Sequence, residues 1–248
     1  MQRYRDKKVI IIGGTSGIGL ATAKLLVDGG ARVLITGRSQ AGLDAAQKAL
    51  GESVFVVSSD ASSLTDIDAL AGRVRAEFDT VDFLFVNAGA GLFAPFEHTT
   101  GDMYDQVFSV NTKGPFFTVQ KFAPLISRGG SVVFTTAISN AKGMPMLAAA
   151  GATKAALRSL ARTFAAELLS RGIRVNAVSP GPIDTPTWDN AFPDKDMAAQ
   201  IVGQMSEANP MKRLGTAEEV AKAVLFLAFD ATFTTGAELT VDGGQSQL

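Results

Sequence analysis

The sequence contains no cysteine, which excludes disulfides and thiolate-held metals. It has a single histidine, His98, too few imidazoles for a zinc centre, so no metal site is expected and His98 reads as a solvated loop residue. No apolar run reaches the roughly 18–20 residues that a membrane-crossing helix needs. No basic block or polybasic arm is present to meet nucleic acid or a membrane surface, and the formal net charge is −1 with acids and bases intermixed. The opening MQRYRDKKVIII carries charges and then a strand-like run into glycines, without the small-residue cleavage site of a secretory signal. Together these absences lead to the expectation of a cytoplasmic protein with no nucleic-acid or membrane partner. Tyrosine is also scarce: Tyr4 and Tyr104 are the only two.

What is present is core-forming. Of 248 residues, 46% are hydrophobic and 19% charged, a globular balance. Apolar, β-branched runs fall at 8–14, 31–37, 53–60, 81–89, 130–137, 173–181 and 236–244. Amphipathic segments such as GIGLATAKLLVDGG and TDIDALAGRVRAEF separate them. Near-continuous apolar strands alternating with helices imply a parallel sheet covered on both faces. The expected fold is therefore α/β: a doubly wound, Rossmann-like parallel sheet of seven strands flanked by helices. No repeat or linker divides the chain, so residues 1–248 are read as one domain. The stretch around 185–215, with its prolines and the only tryptophan, Trp188, reads as a flap over a site.

Between the first strand and first helix stands GGTSGIG, residues 13–19. Glycines there permit a tight turn and close backbone approach to a pyrophosphate, while the helix start offers free N–H groups. Gly13, Thr15, Ser16, Gly17, Ile18 and Gly19 are the resulting cofactor-binding candidates. The second strand ends in Gly37, Arg38 and Ser39, with no carboxylate to hold ribose hydroxyls. A guanidinium can grip a 2′-phosphate with two hydrogen bonds and a hydroxyl can add one, so Arg38 and Ser39 favour NADP(H) over NAD(H).

With GGTSGIG, SSDAS, NAG (87–89), SVNTKG, SPGPIDT (179–185) and VDGG (241–244) in this order, the chain resembles the short-chain dehydrogenase/reductase family over almost its whole length. The resemblance implies that Asp60 and Ala61 lie near the adenine and that Asn87, Ala88 and Gly89 line the cofactor cleft. It implies that Pro180, Gly181, Ile183 and Thr185 flank the nicotinamide and phosphates. Lys154 would bind the nicotinamide ribose, and Asn111 would help hold that lysine through water. It further implies a homo-oligomer, often a tetramer.

In that family a tyrosine four residues before the lysine moves a proton to or from the substrate oxygen. Its ordinary pKa near 10 is lowered by the neighbouring ammonium. A serine about 13 residues earlier polarises the same oxygen. Here the tyrosine position is Ala150 and the serine position is Ala137. Neither tyrosine precedes a lysine by four, although Ser139, Thr135, Thr136 and Thr153 stand close in sequence. Losing a positioned acid removes about 10²–10⁴ in rate.

The expected function is an NADP(H)-dependent carbonyl reductase or alcohol dehydrogenase scaffold with its acid/base pair replaced by alanine, whether by engineering or divergence. Two other readings stand beside it. One is an imine reductase, since an iminium substrate already carries its proton; the other is a non-catalytic NADP(H)-binding regulator. A small-molecule carbonyl or imine is the expected partner. Gly91, Leu92, Phe93, Met144, Met146, Leu147 and Trp188 are read as an apolar substrate pocket.

Overall fold

The structure is a computed structural model that describes residues 2–188 and 194–248. Seven strands form one parallel sheet: β1 (Lys8–Ile12), β2 (Arg32–Gly37), β3 (Phe55–Ser58), β4 (Val81–Val86), β5 (Ile126–Thr135), β6 (Arg174–Pro180) and β9 (Glu238–Val241). Their order is β3-β2-β1-β4-β5-β6-β9, with the reversal between β1 and β4. Each lies within or over one of the seven apolar runs, mostly trimmed at the ends. β5 instead starts four residues early, and its register against β4 shifts between Val81 and Phe83.

The period of two in a strand explains why these runs are apolar throughout. Ile10, Ile12, Leu34, Leu84, Val86, Val132 and Phe134 pack on one face with helices α3 (Leu64–Phe78), α5 (Gly114–Phe122) and α6 (Ala148–Leu168). Their neighbours Val9, Ile11, Val33, Ile35, Phe83, Phe85 and Val133 pack on the other face with α1 (Gly17–Asp28), α2 (Gln40–Leu50) and α8 (Ala217–Leu225). Burying one such side chain stabilises by about 1.5–3 kcal/mol. A polar residue at either parity would therefore be costly.

The remaining helices are α4 (Gly101–Phe108) and α7 (Lys195–Ala208), and a single π-turn, Ser109–Lys113, joins α4 to α5. A two-residue parallel ribbon, β7 (Ile183–Asp184) with β8 (Gly215–Thr216), pins together the two ends of the 185–215 excursion. Within that excursion α7 buries only Ala198, and Asn209 anchors its far end by donating to the Asp242 carbonyl at 2.8 Å. Part of the expected flap, 189–193, lies outside the described residues. His98 is exposed in the turn Phe96–His98, and no His/Cys/Asp/Glu group suited to a metal occurs among the described residues.

Candidate active site

A cleft of about 720 Å³ opens at the carboxyl edge of the sheet, over the β1–β4 reversal. Open α/β sheets bind ligands at this switch point because the strand-end loops part there. The glycine loop forms its floor. Gly13 has φ +82°, and a Cβ there would lie 2.7 Å from the Ala88 Cα. Its N–H donates to Thr36 Oγ1 at 3.1 Å, and its carbonyl accepts from Asn87 Nδ2 at 2.8 Å. Thr135 Oγ1 in turn donates to Asn87 Oδ1 at 2.9 Å. Asn87 thus locks the glycine loop to the ends of β4 and β5. Any side chain at Gly19 would collide with the Gly13 carbonyl.

Helix α1 starts at this floor. Ser16 precedes it in extended backbone, yet its side chain caps nothing. Helices α2, α3, α4, α7 and α8 are each capped by a side chain, from Ser39, Ser63, Thr100, Asp194 and Thr216 respectively. The first N–H groups of α1 are left for an anion, at the positive end of its dipole. The glycine cradle, this uncapped helix start and a cation at either end of the cleft fit a dinucleotide.

Those cations are Arg38, exposed at the end of β2, and Lys154 on α6. Asp60 lines the cleft beyond β3, with Oδ1 accepting from the Ser62 N–H and hydroxyl at 2.8 and 2.7 Å. Next to it, Asp66 accepts from the Asp60 N–H and from Ser63, which holds its carboxyl below the usual range. Lys154 keeps partial exposure as a residue, yet its ammonium is desolvated. Nζ donates to the Thr135 carbonyl at 2.9 Å, and burial pushes its pKa down to about 8. A Cβ on Gly89 would sit 3.3 Å from that nitrogen, so glycine there leaves the lysine its room.

Asn111 is buried in the π-turn. Its amide accepts from the Ala90 N–H at 2.8 Å, and donates to the Ala90 carbonyl at 2.9 Å and to Thr153 Oγ1 at 3.0 Å. The Thr153 hydroxyl donates to the Ala150 carbonyl at 2.6 Å. The asparagine side chain is therefore spent on bracing the wall beside Lys154.

Gly13, Thr15, Ser16, Gly17, Ile18, Arg38, Asp60, Ala61, Asn87, Ala88, Gly89, Lys154 and Thr185 all line the one cleft. Gly19, Ser39, Pro180, Gly181, Ile183, Asn111, Ala137 and Ala150 do not. Ser39 is used as the cap of α2, accepting from the Gly42 N–H at 3.2 Å. Ile183 accepts a 2.7 Å bond from Trp188 Nε1 through its carbonyl, and Trp188 meets the Phe93 ring at 5.9 Å. The segments 92–94 and 144–147 adjoin, because Ala94 N–H donates to the Met146 carbonyl at 3.0 Å. Met146 itself is an exposed residue with φ +66°.

Thr36, Ser59, Ala90, Val110, Thr135 and Thr187 also line the cleft. Their signal was available, since Thr36, Ser59 and Thr135 fall at or just after carboxyl ends of strands.

The hydroxyls near the lysine have other work. Thr136 Oγ1 hydrogen-bonds the Val178 carbonyl and Glu238 Oε1 at 2.9 and 2.6 Å. Ser139 is half-buried in the turn Ile138–Asn140 and does not line the cleft. Ala150, one helical turn before Lys154, is 8% exposed.

A second groove of about 620 Å³ lies toward the opposite edge of the sheet, lined by Arg3, Lys7, Asp82, Arg174 and Asp230 among others. Its charges are already matched. Arg3 pairs with Asp230 at 2.7 Å and Lys7 with Asp82 at 3.4 Å, and the Arg174 guanidinium donates to carbonyls of 227, 228 and 231.

Comparison with known proteins agrees with this geometry. A family model described as Enoyl-(Acyl carrier protein) reductase matches residues 13–246. Oxidoreductase asL5 of Sarocladium schorii is 41% identical over 251 residues, covering 100% of this chain and 99% of that protein. Levodione reductase of Leifsonia aquatica is 33% identical, covering 98% of this chain and 96% of that one. A solved structure titled short chain dehydrogenase/reductase family protein superposes with TM-score 0.87 at 37% identity, covering 99% of this chain and 100% of that one. A doubly wound sheet, a glycine loop under its switch point and a lysine on the helix beside it, matched end to end by such relatives, make this chain a member of the short-chain dehydrogenase/reductase family, oxidoreductases that bind a nicotinamide dinucleotide.

Proposed function

We propose that this cleft binds NADP(H) and serves hydride transfer to or from a small hydrophobic carbonyl or alcohol, at a rate reduced by the alanines at 137 and 150. The observation that carries the reading is the pairing of a complete cofactor cradle with methyl groups at both hydroxyl positions. Arg38 supports the choice of NADP(H): it lines the cleft at the end of β2, where no carboxylate stands. When bound, the nicotinamide dinucleotide supplies or takes the hydride. The loop from Gly13 to Gly19 would hold its pyrophosphate, Arg38 its 2′-phosphate, Asp60 and Ala61 its adenine end. Lys154 would hold the nicotinamide ribose, flanked by Asn87, Ala88 and Gly89 and by the segment Pro180–Thr185. The apolar residues around Phe93 and Trp188 would exclude water from the reacting carbonyl. A homotetramer in the cytoplasm completes the proposal.

The test compares this chain with its Ala137→Ser/Ala150→Tyr double variant, following NADPH oxidation with a panel of ketones and cyclic imines. Restoration is expected to raise ketone reduction by about 10²–10⁴, the usual contribution of a positioned acid. Equal rates in the two proteins would refute the impairment. Imine reduction by the parent chain alone would assign the alanines to a different working mechanism.

A further inference from the structure

We propose that in this chain Lys154 is itself the proton donor to the substrate oxygen. This rests on the reading of the cleft as a hydride-transfer site. Among the described lining residues the titratable side chains are Arg38, Asp60 and Lys154. Arg38 and Asp60 stand at the ends of β2 and β3, away from α6. A guanidinium does not release its proton in a protein. The hydroxyls beside the lysine donate elsewhere: Thr135 to Asn87, Thr136 into the Glu238 network and Thr153 to the Ala150 carbonyl. Tyr104 stacks on Phe108 outside the cleft.

Lys154 has what the role requires. An ammonium has three donor hydrogens, and the Thr135 carbonyl accepts one of them. Two remain, enough for a ribose hydroxyl and a substrate oxygen. Glycine at 89 leaves room beside Nζ, since a Cβ there would already sit 3.3 Å from it.

The charged groups on the elements packed around Lys154 are otherwise engaged or turned to solvent. Glu238 on β9 pairs with Arg158 of α6 at 3.1 Å, and Asp82 on β4 pairs with Lys7 at 3.4 Å. Lys142 donates to the Gln245 carbonyl at 2.7 Å, and the Arg174 guanidinium on β6 donates to carbonyls. Asp102 and Asp105 on α4, Lys113 on the π-turn and Arg128 on β5 are exposed. None of the ion pairs among the described residues includes Lys154. Desolvation without a carboxylate partner places its titration at about 8, close to where acid catalysis is most effective.

The step balances. The carbonyl carbon gains a hydride from the reduced nicotinamide dinucleotide, forming a C–H bond. The π pair moves to the oxygen, which takes a proton as one N–H bond of Lys154 breaks. The carbonyl is reduced to an alcohol, the nicotinamide is oxidised, and the neutral amine regains its proton from solvent.

The experiment has one readout without turnover and one with it. Cofactor-free protein is pulsed with limiting acetic anhydride between pH 6 and 11, and acetylation of each lysine is read by peptide mass spectrometry. Lys154 is expected to reach half-reactivity near pH 8, well below the ordinary lysine value of about 10.4. Ketone reduction by the parent chain is then measured over the same range beside Lys154→Arg, with NADPH affinity measured separately by fluorescence titration. The expected result is an alkaline fall in kcat/KM near pH 8 in the parent. In Lys154→Arg the rate should drop at least tenfold and that fall should vanish, because arginine stays protonated.

Half-reactivity of Lys154 together with the surface lysines overturns the proposal. So does an unchanged alkaline fall in Lys154→Arg, or complete absence of ketone turnover in a chain that still binds NADPH. Failure to bind NADPH at all overturns the underlying cofactor reading instead, so the two failures are told apart.

Discussion

Replacing Lys154 by methionine should make the protein more stable at neutral pH while weakening its grip on the cofactor. In the folded chain the ammonium is held at about 8 by desolvation, against an ordinary 10.5. Holding the charge there costs about 3 kcal/mol at pH 7, at 1.36 kcal/mol per tenfold change in proton affinity. Methionine matches the stem in bulk and removes that cost. It also removes the hydrogen bond to the Thr135 carbonyl, a loss of about 1–2 kcal/mol that water in an open cleft partly offsets. The net gain at pH 7 is about 1–2 kcal/mol, or roughly 2–8 °C in Tm for a chain of this size. The pH dependence identifies the cause. Between about 8 and 10.4 the unfolded chain binds the proton that the folded chain has released, so the stability of the parent rises with pH across that window. By pH 10 most of the penalty is gone, and the variant should lose its advantage. The assay is urea denaturation of both proteins at pH 7 and pH 10, without cofactor. A variant less stable than the parent by the same margin at both pH values would refute the desolvation argument. NADPH affinity should fall about 10–100-fold, the worth of one charge-assisted hydrogen bond.

Arg38→Asp should weaken NADPH binding far more than NADH binding, by loss of a phosphate partner and added repulsion; isothermal titration with both cofactors checks this, and equal losses would remove Arg38 from the phosphate. On α8, Glu219 accepts two bonds from Arg213 at 2.9 and 2.7 Å and a third from the Thr216 N–H at 2.8 Å, and its carboxyl is held down at about 2, mainly by Arg213. Its folded pKa is depressed, so its stabilisation is complete above the ordinary carboxylate value near 4.3 and lost as pH falls toward 2. Glu219→Gln should therefore flatten the Tm profile between pH 4 and pH 2, and an unchanged acid limb would count against the pair.

The strands were legible because each carries apolar residues at both parities, and a strand covered on both faces has no other way to be written. The glycine loop was legible for a similar reason, since backbone contact between Gly13 and Ala88 admits no side chain. The role of Ser39 was not. A serine after a strand can reach a ligand or cap the next helix, and only the 3.2 Å bond from Gly42 separates the two. The fate of the neighbouring threonines was hidden for the same reason. Thr135 and Thr136 are adjacent, so their side chains point to opposite faces at the strand end; one meets Asn87 and the other Glu238. The side-chain bonds of Asn111 were hidden too, since only the folded chain brings its amide to Ala90 and Thr153 across the cleft wall.

The two alanines and the lysine pull in different directions. Alanine at 150 is a good helix residue and, 8% exposed, costs nothing by its burial. Lysine at 154, by contrast, carries a desolvated charge on the same helix and spends about 3 kcal/mol at neutral pH to do so. An apolar residue there would relieve the penalty and keep the helix. Groups with strongly shifted pKa values and no ion-pair partner gather at functional sites because only binding or chemistry compensates their cost. A cleft serving solely as structural padding would need neither the charge nor the glycine at 89 that makes room for it. The physical cost of Lys154 therefore argues that the cleft handles a ligand, with methyl groups at 137 and 150.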